Sequence, residues 1–386
     1  MSENKSEGYV YDVVKEHTYQ NQDMKYYEAY SKWRNDDSNP YSYSYTHDVR
    51  EHSYVAGSGY NTEKADDAEQ LTLSKCLSLL GVTMLIMLIF DGINYLLAYY
   101  LSAGSARNTV MYSHRFDDRP DQSVLGVTLF TVITVLKYVV PMIFFKVKSK
   151  VPLRVALPDS KTRPFMTFNS VVIMMMITVI GRMGSMILSK VLAVVKVDTV
   201  YIHMFAGRSP TVTVISAVLN CILIPVLIEV FFRGFILQSF RQFGDSFAIV
   251  VSSIMCSLSF YDISYIGFAM LCSAVLGVFT VRTGSLKTAI YMHMISTSCN
   301  YLLALIGIIS AEAGRFLEIA VYMLVCAGAL VVYSRLNNYK DWSYDIEPSQ
   351  SDIPFKKKLE TLLFENSVEL WLVFVMVMVI AEVQRL

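Results

Sequence analysis

Residues 225–244 read PVLIEVFFRGFILQSFRQFG. The stretch continues an apolar block that begins near residue 211, and it carries Glu229 and Arg233 four positions apart. Residues four apart on a helix share a face, so the two charges offset each other in an otherwise apolar segment. A charge inside a bilayer costs at least ~2.5 kcal/mol on insertion scales, which is why such residues have a partner or a task. The block is read as a membrane helix with an internal ion pair, and that reading sets the fold class.

The rest of the chain agrees. Its 386 residues are 54% hydrophobic and only 17% charged, too few charges for an ordinary soluble protein. A spanning helix needs about 20 mostly apolar residues. Nine candidates follow one another: 76–101, 123–145, 167–193, 211–232, 246–261, 265–281, 286–308, 316–334 and 367–383. The fifth and sixth are short and fit only when packed inside the bundle. The expected fold is all-α, a polytopic membrane helix bundle of about nine transmembrane helices with a disordered N-terminal tail. Four regions are expected: an acidic Tyr-rich tail over 1–72, N-terminal membrane helices over 73–200, a core over 201–310 and C-terminal membrane helices over 311–386.

The tail is unlike the rest. Residues 1–75 hold 8 Lys and Arg against 14 Asp and Glu, a net of −6, so the remaining 311 residues carry +6. Eleven of the 25 tyrosines precede residue 61, and residues 39–45 read NPYSYSY. Val, Ile, Leu and Phe are nearly absent, so the segment lacks the apolar surface that offsets ordering entropy. Two readings stay open, a solvated tail and a docking or membrane-surface segment that uses Tyr as an amphipathic anchor. The acidic charge argues against nucleic acid as a partner; the expected partners are the lipid bilayer and a peptide or protein bound in the membrane or through the tail. No signal peptide is visible, so insertion is expected to rely on the first internal helix.

Lys and Arg in the connecting loops set the orientation. The 146–165 loop carries Lys146, Lys148, Lys150, Arg154, Lys161 and Arg163 against Asp159 alone. That places it on the cytoplasmic side of a plasma membrane, together with the N-terminus two helices earlier. Nine spans then put the C-terminus outside. The 102–122 loop, with Arg107, Arg115 and Arg119, is mildly inconsistent. The six cysteines, Cys76, Cys221, Cys256, Cys272, Cys299 and Cys326, lie in or beside apolar blocks and show no CxxC spacing. They are read as small apolar residues.

Once these helices are drawn no soluble catalytic domain remains, so any chemistry sits in the bundle. The ionisable residues expected inside it are Asp91, Lys137, Arg182, Glu229, Arg233 and His293. Glu229 and Arg233 are either an active-site carboxylate held by a cation or a neutralising pair. His293 is either a packing histidine or a ligand. Asn300 lies seven residues, two turns, after His293, so both point into one groove. Asp91, Lys137 and Arg182 have the means to pair across helices, and the sequence does not say which meet. Residues 181–185 read GRMGS, small residues that suit close helix packing.

The 225–244 stretch, taken with VRTGSLKTAIYMHMISTSCN over 281–300, resembles the CPBP family, also called Abi or CAAX-protease-like. The resemblance covers roughly residues 211–308 and implies a membrane helix bundle with hydrolase chemistry of the CAAX prenyl endopeptidase type. In that family the first motif is Glu-Glu-x-x-x-Arg, whose first Glu is the water-activating carboxylate. Aligned on Arg233, the second Glu is Glu229 and the first falls on Ile228. The second motif places a His four residues after a Phe; the corresponding positions here are Cys256 and Phe260, or Tyr261 with a one-residue shift. No histidine lies between His203 and His293. The third motif is His followed four residues later by Asn or Asp; His293 matches and Thr297 does not.

Water activation needs a base and a second group to orient water or stabilise the oxyanion. A metal version needs at least three protein ligands converging on one ion, and the ligands the resemblance supplies are incomplete, so no metal and no cofactor is expected. The motif remnants Glu229, Arg233, His293 and Asn300 are the candidate catalytic residues. Three functions follow. The first is a catalytically impaired pseudoprotease acting as a membrane scaffold, immunity or binding protein. The second is an active glutamate-dependent intramembrane endopeptidase with Glu229 as base; a one-residue step along a helix rotates the carboxylate by about 100°, which makes the substitution awkward. The third is a transporter or channel-like protein using Asp91, Lys137 and Arg182 as a polar pathway.

Overall fold

The computed structural model describes residues 22–36, 38–44, 52–55, 59–62, 65–101, 124–194, 197–198, 210–338, 351, 353–382 and 384–385. Their helices, in chain order, are α1 (Met24–Arg34), α2 (Ala65–Leu101), α3 (Val124–Ser149), α4 (Leu153–Ala156), α5 (Pro164–Val194) and α6 (Pro210–Phe243), then α7 (Asp245–Leu258), α8 (Ile263–Thr283), α9 (Leu286–Ile309), α10 (Ala311–Asn338), α11 (Phe355–Phe364) and α12 (Asn366–Glu382). Two small antiparallel pairings join β1 (His52–Val55) to β2 (Gly59–Thr62) and β3 (Val197–Asp198) to β4 (Gln384–Arg385).

Among the described residues seven helices, α2, α3, α5, α6, α8, α9 and α10, are long and apolar enough to cross a bilayer, and α11 with α12 makes an eighth if the pair, bent by 67°, is one span. The expected nine is therefore approximate. The block at 246–261 is α7, whose 14 residues reach only about 21 Å, short of a ~30 Å hydrocarbon core. It is held because Phe247, Ala248, Val251 and Met255 are buried in the main cluster. Lipid-facing character shows on α10, where Phe316, Ile319, Met323, Leu324 and Leu330 are exposed.

The core gathers around the second half of α6. Phe231, Phe232, Ile236, Leu237, Phe240 and Phe243 are all buried there, with Leu77, Leu80 and Met84 of α2 and Trp371 of α12 in the same cluster. Two parts of α6, Leu219–Leu223 and Glu229–Ile236, are wound as π-helix, a geometry that recurs at functional sites. Carbonyls of this wider turn have side-chain partners: Ser252 Oγ donates to the Phe232 oxygen at 2.9 Å and Gln238 Nε2 to the Arg233 oxygen at 3.4 Å. Gly234 lets α4 approach. A Cβ there would lie 2.6 Å from the Ala156 carbonyl oxygen, backbone that has no room to yield. Gly234→Ala is expected to cost about 1–3 kcal/mol by overpacking, read as a lower thermal midpoint in detergent. Gly277→Ala, whose new methyl meets only side chains at 3.2 Å or beyond, should be milder.

Several pairings fix which chain segments share a face of the bundle. The β3–β4 pairing brings residue 197 beside residue 385. At the other face, Asp159 bridges to Ser285, Leu286 N donates to the Pro158 oxygen at 2.9 Å, and Lys287 pairs with Asp159 at 2.8 Å.

The tail needs a correction over residues 22–44. Within the region expected to be disordered, α1 forms an 11-residue helix capped by Asp23, whose side chain accepts from Tyr26 N at 2.8 Å. It buries Tyr26, Tyr30 and Trp33 against Phe145, Val155, Ala156 and Phe235. The docking reading holds for this segment: aromatic rings supply the buried area that aliphatic residues do not. Residues 1–21 lie outside the described residues.

Candidate functional site

The π-helical turn of α6 points Glu229 inward. Its Oε1 lies 2.7 Å from His293 Nδ1 on α9, and its Oε2 lies 3.4 Å from Arg233 Nε. The Glu229 side chain is fully enclosed, Arg233 is 1% exposed, and His293 keeps 21% of its side chain open. Arg233 also donates through Nη2 to the Ser273 carbonyl oxygen at 3.0 Å and approaches Cys256 Sγ at 3.5 Å through Nη1. One guanidinium therefore ties α6 to α7 and α8, while one carboxylate ties α6 to α9. The network expected from Glu229, Arg233 and His293 is present as contacts.

Beside it lies a cavity of about 110 Å³, with walls from α5, α6, α7, α8 and α9. Arg182, Ser185, Arg233, His293 and Asn300 supply polar lining, and Ile228, Phe260, Phe268 and Leu276 supply apolar lining. Such a volume has room for several waters or part of a ligand. Glu229 is not among the residues that line it. The one-residue step from Ile228 to Glu229 turns the carboxylate away from the cavity, as about 100° per residue requires. Ile228 occupies the wall in its place.

The structure also decides between Phe260 and Tyr261. Phe260 lines the cavity and stacks edge-on against Tyr265, with ring centroids 5.1 Å apart. Tyr261 turns away in a left-handed conformation, φ 56°, and donates to Asp91 Oδ2 at 3.1 Å. Cys256 lines the cavity too. The expected groove shared by His293 and Asn300 is this cavity, and Thr297 lines it between them.

The three remaining membrane charges divide. Lys137 pairs with Asp91 at 2.7 Å, both nearly sealed from solvent, and its ammonium sits over the Tyr138 and Tyr261 rings. Arg182 does not join them. It donates through Nη1 to Asn300 Oδ1 at 3.3 Å and lies 3.6 Å from Glu318 of α10. So Arg182 lines the cavity and meets Asn300 and Glu318 there. In the GRMGS stretch Gly181 accommodates the Phe268 ring and Ser185 is buried, whereas a Cβ added at Gly184 would meet nothing within 4 Å. Ser185 Oγ is buried without a hydrogen-bond partner. Sequence reasoning did not assign Arg182, Ser185, Ser273 or Glu318 to the site; the small-residue spacing around Arg182 was the signal available.

A divalent metal does not fit this arrangement. A catalytic ion needs three convergent protein ligands. Of the resemblance's positions, Ile228 and Phe260 carry no donor atom, and the Glu229 carboxylate is already shared between His293 and the cationic Arg233. Among the described residues no group of three His, Cys, Asp or Glu converges on one point. The six cysteines are all free.

Residues 210–299 match the family model described as Type II CAAX prenyl endopeptidase Rce1-like. The matched segment is about a quarter of the chain and runs from the start of α6 into α9. It contains Glu229, Arg233 and His293 and stops one residue before Asn300. No curated protein and no solved structure matches the chain. An integral membrane helical bundle with an Rce1-like segment is thus the frame for its function.

Proposed function

We propose that this chain is a CAAX-protease-like membrane protein that binds a membrane-borne ligand in its cavity and does not hydrolyse it. One observation carries the reading. The positions of the family's water-activating carboxylate and second histidine present Ile228 and Phe260 to the cavity, while Glu229 is enclosed by Arg233 and His293. A carboxylate sealed between a histidine and a guanidinium is not placed to take a proton from cavity water. The retained residues act as a packing network instead, which holds α6, α7, α8 and α9 around the cavity.

The lining indicates the ligand class. Arg182 is balanced by Glu318 and Arg233 by Glu229, so the polar lining offers hydrogen bonding without uncompensated charge. Ser185 Oγ is an orphan donor in it, and burying it alone costs free energy. Ile228, Phe260 and Phe268 are part of the apolar lining. A neutral head on an apolar chain matches this mixed lining. The Lys and Arg of the 146–165 loop support a cytoplasmic N-terminus, and the pairing of residues 197–198, beyond the far end of α5, with 384–385 supports a C-terminus on the opposite side.

A second reading rests on the 2.7 Å contact itself: Glu229 holds Nδ1 of His293, so that Nε2 serves as a base toward the cavity. The two readings separate in one assay. The protein in proteoliposomes is given peptides with a prenylated C-terminus, and products are followed by mass spectrometry. The expected result is background cleavage, unchanged by Glu229→Gln and His293→Ala. Cleavage that both variants abolish would sink the binding reading in favour of the dyad. In the same vesicles a photoreactive long-chain amide should label Phe260 and Phe268 more strongly than the matching carboxylate. Equal labelling would overturn the neutral-head assignment alone.

A further inference from the structure

The N-terminal segment does more than cover a surface. Residues 22–36 and 38–44 form a strap whose only helix, α1, has 11 residues, too few to be stable alone. Its order comes from the elements it grips, and these are the ones that carry the site. Tyr26 hydroxyl donates to Gln238 Oε1 at 2.7 Å, and Gln238 Nε2 donates to the Arg233 carbonyl oxygen at 3.4 Å. Two hydrogen bonds thus lead from the strap to the backbone of the π-helical turn. Further along, Gln242 Nε2 donates to the Tyr41 oxygen at 3.0 Å, and Gln242 Oε1 accepts from Tyr43 N at 2.8 Å.

The strap also holds the connection after α3. Trp33 Nε1 and Asn39 Nδ2 both donate to the Ser149 oxygen, at 2.9 and 3.0 Å. Asp23 pairs with Arg154, and Ser160 Oγ donates to Gln22 Oε1 at 3.2 Å. The same connection anchors the start of α9, since Pro158 accepts from Leu286 N and Ser160 N donates to Gly284 O. His293 stands two turns further along α9. Both halves of the Glu229–His293 contact therefore hang from elements that the strap binds.

We propose that the strap is a positioning latch. Docked, it holds α6 and the start of α9 in the register that closes the Glu229–His293 contact and the cavity wall. Released, it loosens that wall. Docking of the strap and closure of the cavity are one coupled equilibrium, so each biases the other. The latch is separate from what the cavity binds, so it stands whichever reading of the cavity is right.

The chain carries its own reporters. Cys76 lies under the strap, with its sulfur 3.3 Å from the Tyr41 oxygen. Cys256 and Cys272 line the cavity and are 4% and 8% exposed. Cys326 on α10 touches neither. Full-length protein in lipid nanodiscs is treated with N-ethylmaleimide, and the rate at each cysteine is read by mass spectrometry. Trp33→Ala removes an anchor and is expected to speed labelling of Cys76, Cys256 and Cys272 together by about tenfold, the effect of 1.4 kcal/mol on an opening equilibrium. Cys326 should keep its rate. Tyr26→Phe keeps the ring and removes the hydroxyl that donates to Gln238 and accepts from Arg241, so Cys256 and Cys272 should gain about threefold. A rise at Cys76 with Cys256 and Cys272 unchanged overturns the latch. Should Trp33→Ala speed Cys326 equally, through general loosening, Tyr26→Phe decides: a gain at the two cavity thiols with Cys326 unchanged supports the latch, and no gain overturns it.

Discussion

Glu229→Leu is expected to destabilise the protein by about 3–5 kcal/mol, because it strands a buried guanidinium. Arg233 is 1% exposed and has Glu229 as its carboxylate partner. It cannot shed its proton, so without Glu229 its charge stays uncompensated among Cys256, Ser273 and the phenylalanines of α6. Arg233→Met should cost less. Glu229 then keeps His293 at 2.7 Å, a residue able to take up a proton and become the counter-charge. The double variant, with both charges gone and similar volume retained, should recover most of the loss. Unfolding by denaturing detergent titrated into bicelles measures all three. A Glu229→Leu loss no larger than that of Arg233→Met would show that the guanidinium has another counter-charge.

Lys137→Met is the second large effect. It removes the ammonium that Asp91 holds at 2.7 Å, both residues being nearly sealed. The orphaned carboxylate keeps the Tyr261 hydroxyl at 3.1 Å, and the expected cost is again about 3–5 kcal/mol. Asp91→Leu with Lys137→Met should come back close to the parent, since an apolar pair of similar size relieves the desolvation of two ions. The same titration reads it. If the single and double variants unfold alike, the pair is hydrated and the burial argument fails there. This pair also bears on the transport reading. Asp91 and Lys137 satisfy each other between α2 and α3, and Arg182 turns to Asn300 and Glu318.

Much of this was legible in the residues. Long apolar blocks with few charges leave the bilayer as the only solvent that accepts them, so the all-α membrane bundle followed from composition and block length. The pairing of Glu229 with Arg233 followed from a spacing of four, because helical periodicity is local. The departures at Ile228 and Phe260 were likewise readable, since the absence of a histidine between His203 and His293 is a property of the string.

What the sequence left open has physical reasons. Block length alone did not distinguish a spanning helix from α7, a 14-residue helix held by burial on its neighbours. Disorder was expected for the tail because aliphatic residues are scarce. Three aromatic side chains of one short helix, Tyr26, Tyr30 and Trp33, supplied enough buried surface to dock residues 22–44. That depends on a complementary surface formed mostly by residues more than a hundred positions away. Arg182 was a lone charge until folding set α5 beside α9.

By itself, then, the sequence determined the solvent, the helical class, the local ion pair and which residues stand at the positions the resemblance singles out. Only the tertiary structure decided that Glu229 faces His293 rather than the cavity, that Phe260 rather than Tyr261 lines the wall, and that the strap reaches Arg233 through Gln238. Those outcomes rest on helix rotation and on contacts between residues far apart in sequence, where one residue's step turns a side chain by about 100° and no local pattern records which way the neighbouring helix faces.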